Sequence, residues 1–110
     1  MKSYSSPLVE KLAGILWDAA RSQRLVHYSQ IAPMVGEVAY SIAFWAMLGE
    51  VSTVSQEQAG VLLSAIVVNK HDGFPGPSFF TLAEDLGRSV NDKLEFWARE
   101  VQTVFAKAVA

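Results

Sequence analysis

Leu8, Leu12, Ile15, Leu16 and Ala19 recur at the three- and four-residue spacing of a helix, with Glu10, Lys11, Asp18 and Arg21 off that face. Ser6 can cap this helix, and Pro7 suits its first position, where a missing N–H is no loss. The pattern fades near Arg24. "LVHYS", residues 25–29, turns to β-branched and aromatic side chains and predicts a short strand. Ser29 then reads as the N-cap of a short helix that tolerates Pro33 near the end of its first turn and closes at Gly36. From Glu37 to Leu48 the chain is apolar nearly all round, which predicts a central, buried helix ending at Gly49. Between Glu50 and Gly60 the register is open, although Ser55 and Gln58 have capping-box spacing.

"VLLSAIVVN", residues 61–69, is a continuous apolar, β-branched run of the kind a buried strand needs. Pro75 and Pro77 lack N–H donors and disqualify the segment after Gly73 as its partner. "LVHY" remains, and a two-stranded antiparallel ribbon is expected, pairing roughly 25–28 with 65–69. Ser78 is expected to cap a helix over "FFTLAEDL" that Gly87 closes, and Ser89 or Asn91 to start the last helix. In that helix Leu94, Trp97, Ala98, Val101, Val104, Phe105 and Ala108 line one stripe, with Lys93, Glu95, Arg99, Glu100 and Lys107 mostly opposite. The expected fold is a single, mainly α (α+β) domain over residues 1–110, with about five to six helices around a minimal ribbon.

Composition adds one feature to this picture. Apolar residues make up 51% of the 110 positions and charged residues only 18%. A domain this small has much surface for its volume, so some of the apolar excess is expected outside, where a partner covers it. A net charge of −2 argues against a general polyanion binder. Without cysteine, disulfides, thiol catalysis and cysteine-based zinc sites are excluded, and a cytoplasmic setting is expected. "MKSYSSPLVEKLAG" has no apolar core ahead of a cleavage site, so no export signal is expected. The apolar run Val38–Leu48 has 11 residues, against about 20 for a membrane span.

"NKHDGFPGPS", residues 69–78, concentrates the turn chemistry. Asp72-Gly73 is a turn pair, Pro75 and Pro77 stiffen the exit, and Gly76 lets the chain bend between them. A phosphate loop is not expected, because the prolines remove two N–H groups and no Lys follows the last glycine. His27 and His71 form no helical metal pair. The antiparallel pairing would bring them together beside Asp72 as a small acid–base or metal cluster, against which stands the reading of two surface histidines. No catalytic set, metal or cofactor is expected. The same pairing would bring Arg24 and His27 alongside Lys70 and His71, with Arg21 one turn before Arg24; together with Arg88 they are the candidates for a basic corner able to meet phosphates or an acidic protein, against which stands the reading of a solvated rim. Phe44, Trp45 and Met47 are the side-chain types that anchor interfaces, with core packing as the alternative.

Tyr28, Ile31, Ala32 and Gly36, in the order helix, "VHYSQIAPMVG", apolar helix, strand, resemble the winged-helix domain of O6-alkylguanine-DNA alkyltransferases and alkyltransferase-like proteins. The "PCHR" segment of that family has no counterpart here, so the transfer reaction is not implied. A longer stretch, Tyr28 to Gly87, is similar to small bacterial proteins of unassigned function. It shares their "Y..(L/I)AP..G", "LGE(I/V)S", "LLSA(I/V)VV" and "G.PG..FF.LA..LG" segments. The resemblance implies a winged-helix-like layout and brings no activity with it. The helix in the recognition position, Glu37 to Leu48, has no Lys, Arg, Asn or Gln with which to read bases.

The leading expectation is therefore a non-catalytic protein-binding module: a self-associating chain, an accessory subunit, or a small neutralising protein of the immunity or antitoxin kind. The alternatives are a winged-helix nucleic-acid binder using the basic corner, and a hydrolase built on His27, His71 and Asp72.

Overall fold

The computed structural model describes residues 4–110. Five α-helices and two single 3-10 turns surround a two-stranded ribbon. Helix α1 runs Pro7–Arg21, with the Ser6 hydroxyl accepting from the Val9 N–H and Pro7 in the first turn. Its buried side is Val9, Leu12, Ala13, Leu16, Ala19 and Ala20, so Leu8 faces outward. Strand β1, Val26–His27, passes directly into the single turn α2, Tyr28–Ile31, and the 3-10 turn Ala32–Val35. His27, two residues before the expected cap Ser29, occupies the N-cap position of α2. Gly36 closes the segment at φ 76°, a left-handed conformation that glycine adopts without strain.

Helix α3 is one continuous element, Ile42–Ala59. It begins later than expected, capped by Ser41, whose hydroxyl accepts from the Phe44 N–H. It also runs through Gly49 and ends at Gly60, which takes φ 72°. A helix-interior glycine costs only about 1 kcal/mol relative to alanine. The burial of Leu48, Val51, Ser52, Val54 and Ser55 on both sides of Gly49 outweighs that cost.

The run 61–69 corrects the expectation of a long strand. Leu63–Ile66 form a 3-10 turn and only Val67–Val68 form strand β2. The ribbon is parallel, with Val26 opposite Val67 and His27 opposite Val68, where an antiparallel pairing was expected. The reason lies in the connection. Adjacent antiparallel strands can join by a tight hairpin, but parallel ones need a crossover, and α3 supplies it by carrying the chain back to the start of β1. The two strands therefore make no hairpin.

The central segment Val61–Val68 is almost fully buried, yet it has little sheet to satisfy its amides. Side chains do so instead. The N–H groups of Leu62, Leu63 and Ser64 donate in succession to Glu100 Oε2 at 2.7 Å, Ser55 Oγ at 3.0 Å and Ser52 Oγ at 3.0 Å. Ser55 Oγ returns a bond to the Val61 carbonyl at 2.7 Å, and Trp97 Nε1 donates to the Ala65 carbonyl at 2.8 Å. Arg88 grips Glu100 through two bonds of 2.9 Å and also donates to the Gly60 carbonyl and Gln56 Oε1. Helices α3 and α5 thus meet on the backbone of residues 61–65.

Helix α4, Pro77–Asp85, takes Gly76 as its N-cap, with Pro77 at its first position, so Ser78 lies inside the first turn and is not the cap. Helix α5, Lys93–Ala108, is capped by Asp92, whose carboxylate accepts from the Glu95 N–H, one residue after the nearer of the two expected caps. Its inward face is rotated from the expected stripe. Glu100, Val101 and Val104 are buried, Phe96 and Trp97 pack on the core, and Leu94 and Ala98 face solvent.

Removing one partner of a buried, hydrogen-bonded ion pair typically costs about 3–5 kcal/mol. Glu100→Ala is expected to lose that much in urea unfolding, because it strands both the Leu62 N–H and the Arg88 guanidinium. Ser52→Ala orphans only the Ser64 N–H among the backbone donors and is expected to lose about 1–3 kcal/mol. Equal, near-zero losses for both variants would contradict this account of the core.

Candidate functional site

The segment expected to form a central, buried helix, Glu37 to Leu48, buries Phe44 and Leu48 but exposes much of its remaining apolar surface. Between the 3-10 turn and the middle of α3, Met34, Val38, Tyr40, Ile42 and Trp45 all reach the surface, Val38 at 74% and Ile42 at 86% exposure. Ala43 and Ala46 are exposed beside them on α3. No charged residue stands between Val38 and Gly49. The cause is the position of α3: its C-terminal half is fixed to residues 61–64 through Ser52 and Ser55, and its N-terminal half emerges from the core with Phe44 as the inward anchor.

This placement sorts the three candidate anchors. Phe44 is 0% exposed and belongs to the core, so it is unavailable to a partner. Met47 is half-buried against that core. Trp45 is exposed and available. The sequence reading missed Val38, Tyr40 and Ile42 because an apolar helix with no polar face looks buried from its pattern alone. Tyr40 is held in place by its hydroxyl, which donates to Asn69 Oδ1 at 2.9 Å, and by its ring, 5.7 Å from that of Tyr28.

A cleft of about 80 Å³ opens beside this strip, between α3 and α4. Trp45, Leu48, Phe79 and Leu82 wall it, Gly49 leaves it open on the α3 side, and Tyr28, Ser64 and Ser78 contribute hydroxyls. Tyr28 is the hinge between this cleft and the turn-rich loop, since its hydroxyl accepts from the Gly76 N–H at 2.9 Å. In the loop, Asp72 Oδ1 accepts from the Phe74 N–H, and the Asn69 N–H donates to the Phe74 carbonyl, so residues 69–74 form a self-closed turn. That agrees with the turn chemistry expected of Asp72-Gly73.

The parallel register takes the basic corner apart. Arg24 precedes β1 while Lys70 and His71 follow β2, so the pairing sends them to opposite ends of the ribbon. Arg21 pairs with Asp18 on the exposed side of α1. Arg88 is committed to Glu100, Gln56 and Gly60 in the structural network. His27 sits half-buried at the start of α2, and exposed His71 lies 3.5 Å from Asp72 at the surface. Among the described residues, no group of three His, Cys, Asp or Glu stands together to hold a metal ion. No helix among them is long and apolar enough to cross a membrane.

No family model matches the chain, and no curated protein and no solved structure matches it.

Burial pushes the Tyr28 hydroxyl above the ordinary tyrosine value of 10.0; the Gly76 N–H bond offsets part of this, and Tyr40 and Asp72 add to it. The folded state therefore favours neutral Tyr28. Its contribution to stability is complete below the unfolded value near 10.0 and is lost as pH rises through the folded value. The stability of the wild type in urea is expected to fall as pH rises above the unfolded tyrosine value and through the raised Tyr28 value. Tyr28→Phe is expected to be less stable by about 1–3 kcal/mol at pH 8, from the orphaned Gly76 N–H, and to show a shallower alkaline fall. Identical alkaline slopes in the two proteins would contradict this assignment.

Proposed function

We propose that this protein is a non-catalytic binding module that docks another protein on the strip Val38–Trp45. The observation that carries this reading is the exposure of four large apolar side chains, Val38, Tyr40, Ile42 and Trp45, along one uncharged stretch. Isolated surface apolar residues are ordinary, but a contiguous patch in a monomer marks an interaction surface. Its aromatic members are of the type that dominates binding energy in interfaces. The serine and glutamate side chains that would attract attention as chemistry are occupied: Ser52, Ser55 and Glu100 hold backbone amides. A nucleic-acid role finds less support, because its cations are dispersed and the apolar strip offers phosphates no counter-charge.

Val38→Lys and Ile42→Lys alter only highly exposed side chains, so both variants are expected to keep the wild-type circular dichroism spectrum and a free energy of unfolding within about 0.5 kcal/mol of the wild type. Partners captured from cells by the tagged wild type, then purified and remixed, are expected to bind it stoichiometrically and to lose at least about tenfold in affinity for either variant. If the partner is a second copy, light scattering will report a dimer that both variants dissociate. Partners insensitive to both substitutions would overturn the proposal. So would tight duplex DNA binding with a steep salt dependence.

A further inference from the structure

Gly49 stands where the fold itself has no need of a glycine. It lies inside α3, where glycine is less favourable than alanine, and its φ is not left-handed. A methyl group there would meet nothing closer than Leu82 Cδ1 at 3.8 Å, an ordinary contact, so no close approach of α4 demands it. What the missing side chain does is hold open the cleft between α3 and α4. That cleft has hydrogen-bonding capacity that the chain does not use. Tyr28 is 4% exposed and its hydroxyl accepts from the Gly76 N–H, yet its own proton has no acceptor among the described residues. Ser78 Oγ makes no hydrogen bond among them. A methyl group on Gly76 would lie 3.5 Å from Tyr28 Oη and 4.0 Å from Ser78 Oγ, so the two hydroxyls flank one point at the start of α4.

We infer that the cleft binds a short, uncharged acyl compound, its alkyl end against Trp45, Leu48, Phe79 and Leu82 and its carbonyl oxygen accepting from Tyr28 and Ser78. This goes beyond the docking strip: it needs no partner protein, and it rests on Gly49 and the hydroxyls rather than on exposed apolar side chains. The unused donors select the carbonyl, since a buried hydroxyl proton without an acceptor is costly and a carbonyl oxygen asks for donors only. The volume selects the length. About 80 Å³ lies well below the roughly 300–1,000 Å³ of drug-sized sites. An engineered apolar cavity of about 150 Å³ takes benzene, so this cleft takes a short aliphatic group. The surroundings select neutrality. None of the lining residues is charged, and a carboxylate buried without a counter-charge is costly. Asp72 adds to that cost, because its charge reaches the Tyr28 hydroxyl. The start of α4 offers an anion little, since Pro77 has no N–H and the Phe79 N–H turns back to the Gly76 carbonyl at 3.1 Å.

Isopropyl methyl ketone and isobutyrate share one shape and differ in charge, and titrating each into the full chain by proton–nitrogen correlation NMR tests this. The ketone is expected to move the Trp45 indole signal and the Gly49 and Gly76 amide signals with a Kd of about 1–10 mM. Isobutyrate is expected to bind at least about tenfold more weakly. Ser78→Ala removes a hydroxyl that no bond within the chain uses, and is expected to weaken the ketone at least about threefold. Gly49→Ala is expected to raise the melting temperature, because alanine is the better helix former, and yet to abolish the ketone's shifts. A loss of binding in a more stable protein cannot come from damage to the fold. Equal binding of ketone and isobutyrate would overturn the assignment of an uncharged ligand. Ketone binding that survives Gly49→Ala, or shifts confined to other residues, would place the site elsewhere and overturn the inference. No shift with either probe would leave the cleft to water and overturn it as well.

Discussion

Three successive backbone amides, those of Leu62, Leu63 and Ser64, are the constraint on which the rest of the molecule depends. They lie in the most buried segment of the chain, where an unpaired N–H costs about as much as a lost hydrogen bond. A sheet would satisfy them in most small α+β domains. Here the ribbon is only two residues long, and the acceptors come from Ser52 and Ser55 on α3 and Glu100 on α5. Glu100 in turn needs a counter-charge, which Arg88 brings from the α4–α5 connection. One local shortage of acceptors therefore ties two helices and the α4–α5 connection to the same backbone.

The exposed strip is a consequence of that arrangement. Once Ser52 and Ser55 are committed to the amides, the rotation and depth of α3 are set for its whole length. A helix of 18 residues is far longer than the part that touches residues 61–64. Its first turns project past the core, with Phe44 inward and Ile42 and Trp45 outward. The same projection separates α3 from the start of α4, and the absence of a side chain at Gly49 keeps the gap open: a methyl there would lie 3.8 Å from Leu82 Cδ1. Structural economy and a partner surface thus share one helix, its two ends serving different purposes.

Much of the architecture was legible in the sequence where local rules decide. The Ser6-Pro7 start of α1, the Asp72-Gly73 turn and the existence of α4 and α5 follow from capping, turn chemistry and helical spacing. The failures lie where tertiary context decides. "VLLSAIVV" has the composition of a strand, and composition cannot report that its amides find side-chain acceptors. The signals were present but weak: Ser52 and Ser55 three residues apart on an apolar helix, and Glu100 between Trp97 and Val104 on the inward side of α5. The ribbon's direction depended on α3 being one helix through Gly49, which tertiary burial decided. The apolar strip was misplaced because Phe44 and its neighbours have the same pattern whether a helix end lies inside or outside the core.

Native-state hydrogen exchange, read amide by amide, tests the central constraint directly. The Leu62, Leu63 and Ser64 amides lie outside the regular bonding of any long helix or sheet. The side-chain network should nonetheless protect them to the level of global unfolding, as slowly exchanging as the centres of α3 and α5. Rapid exchange of these three amides through local opening, while the helices stay protected, would show that the segment is not the anchor of the fold.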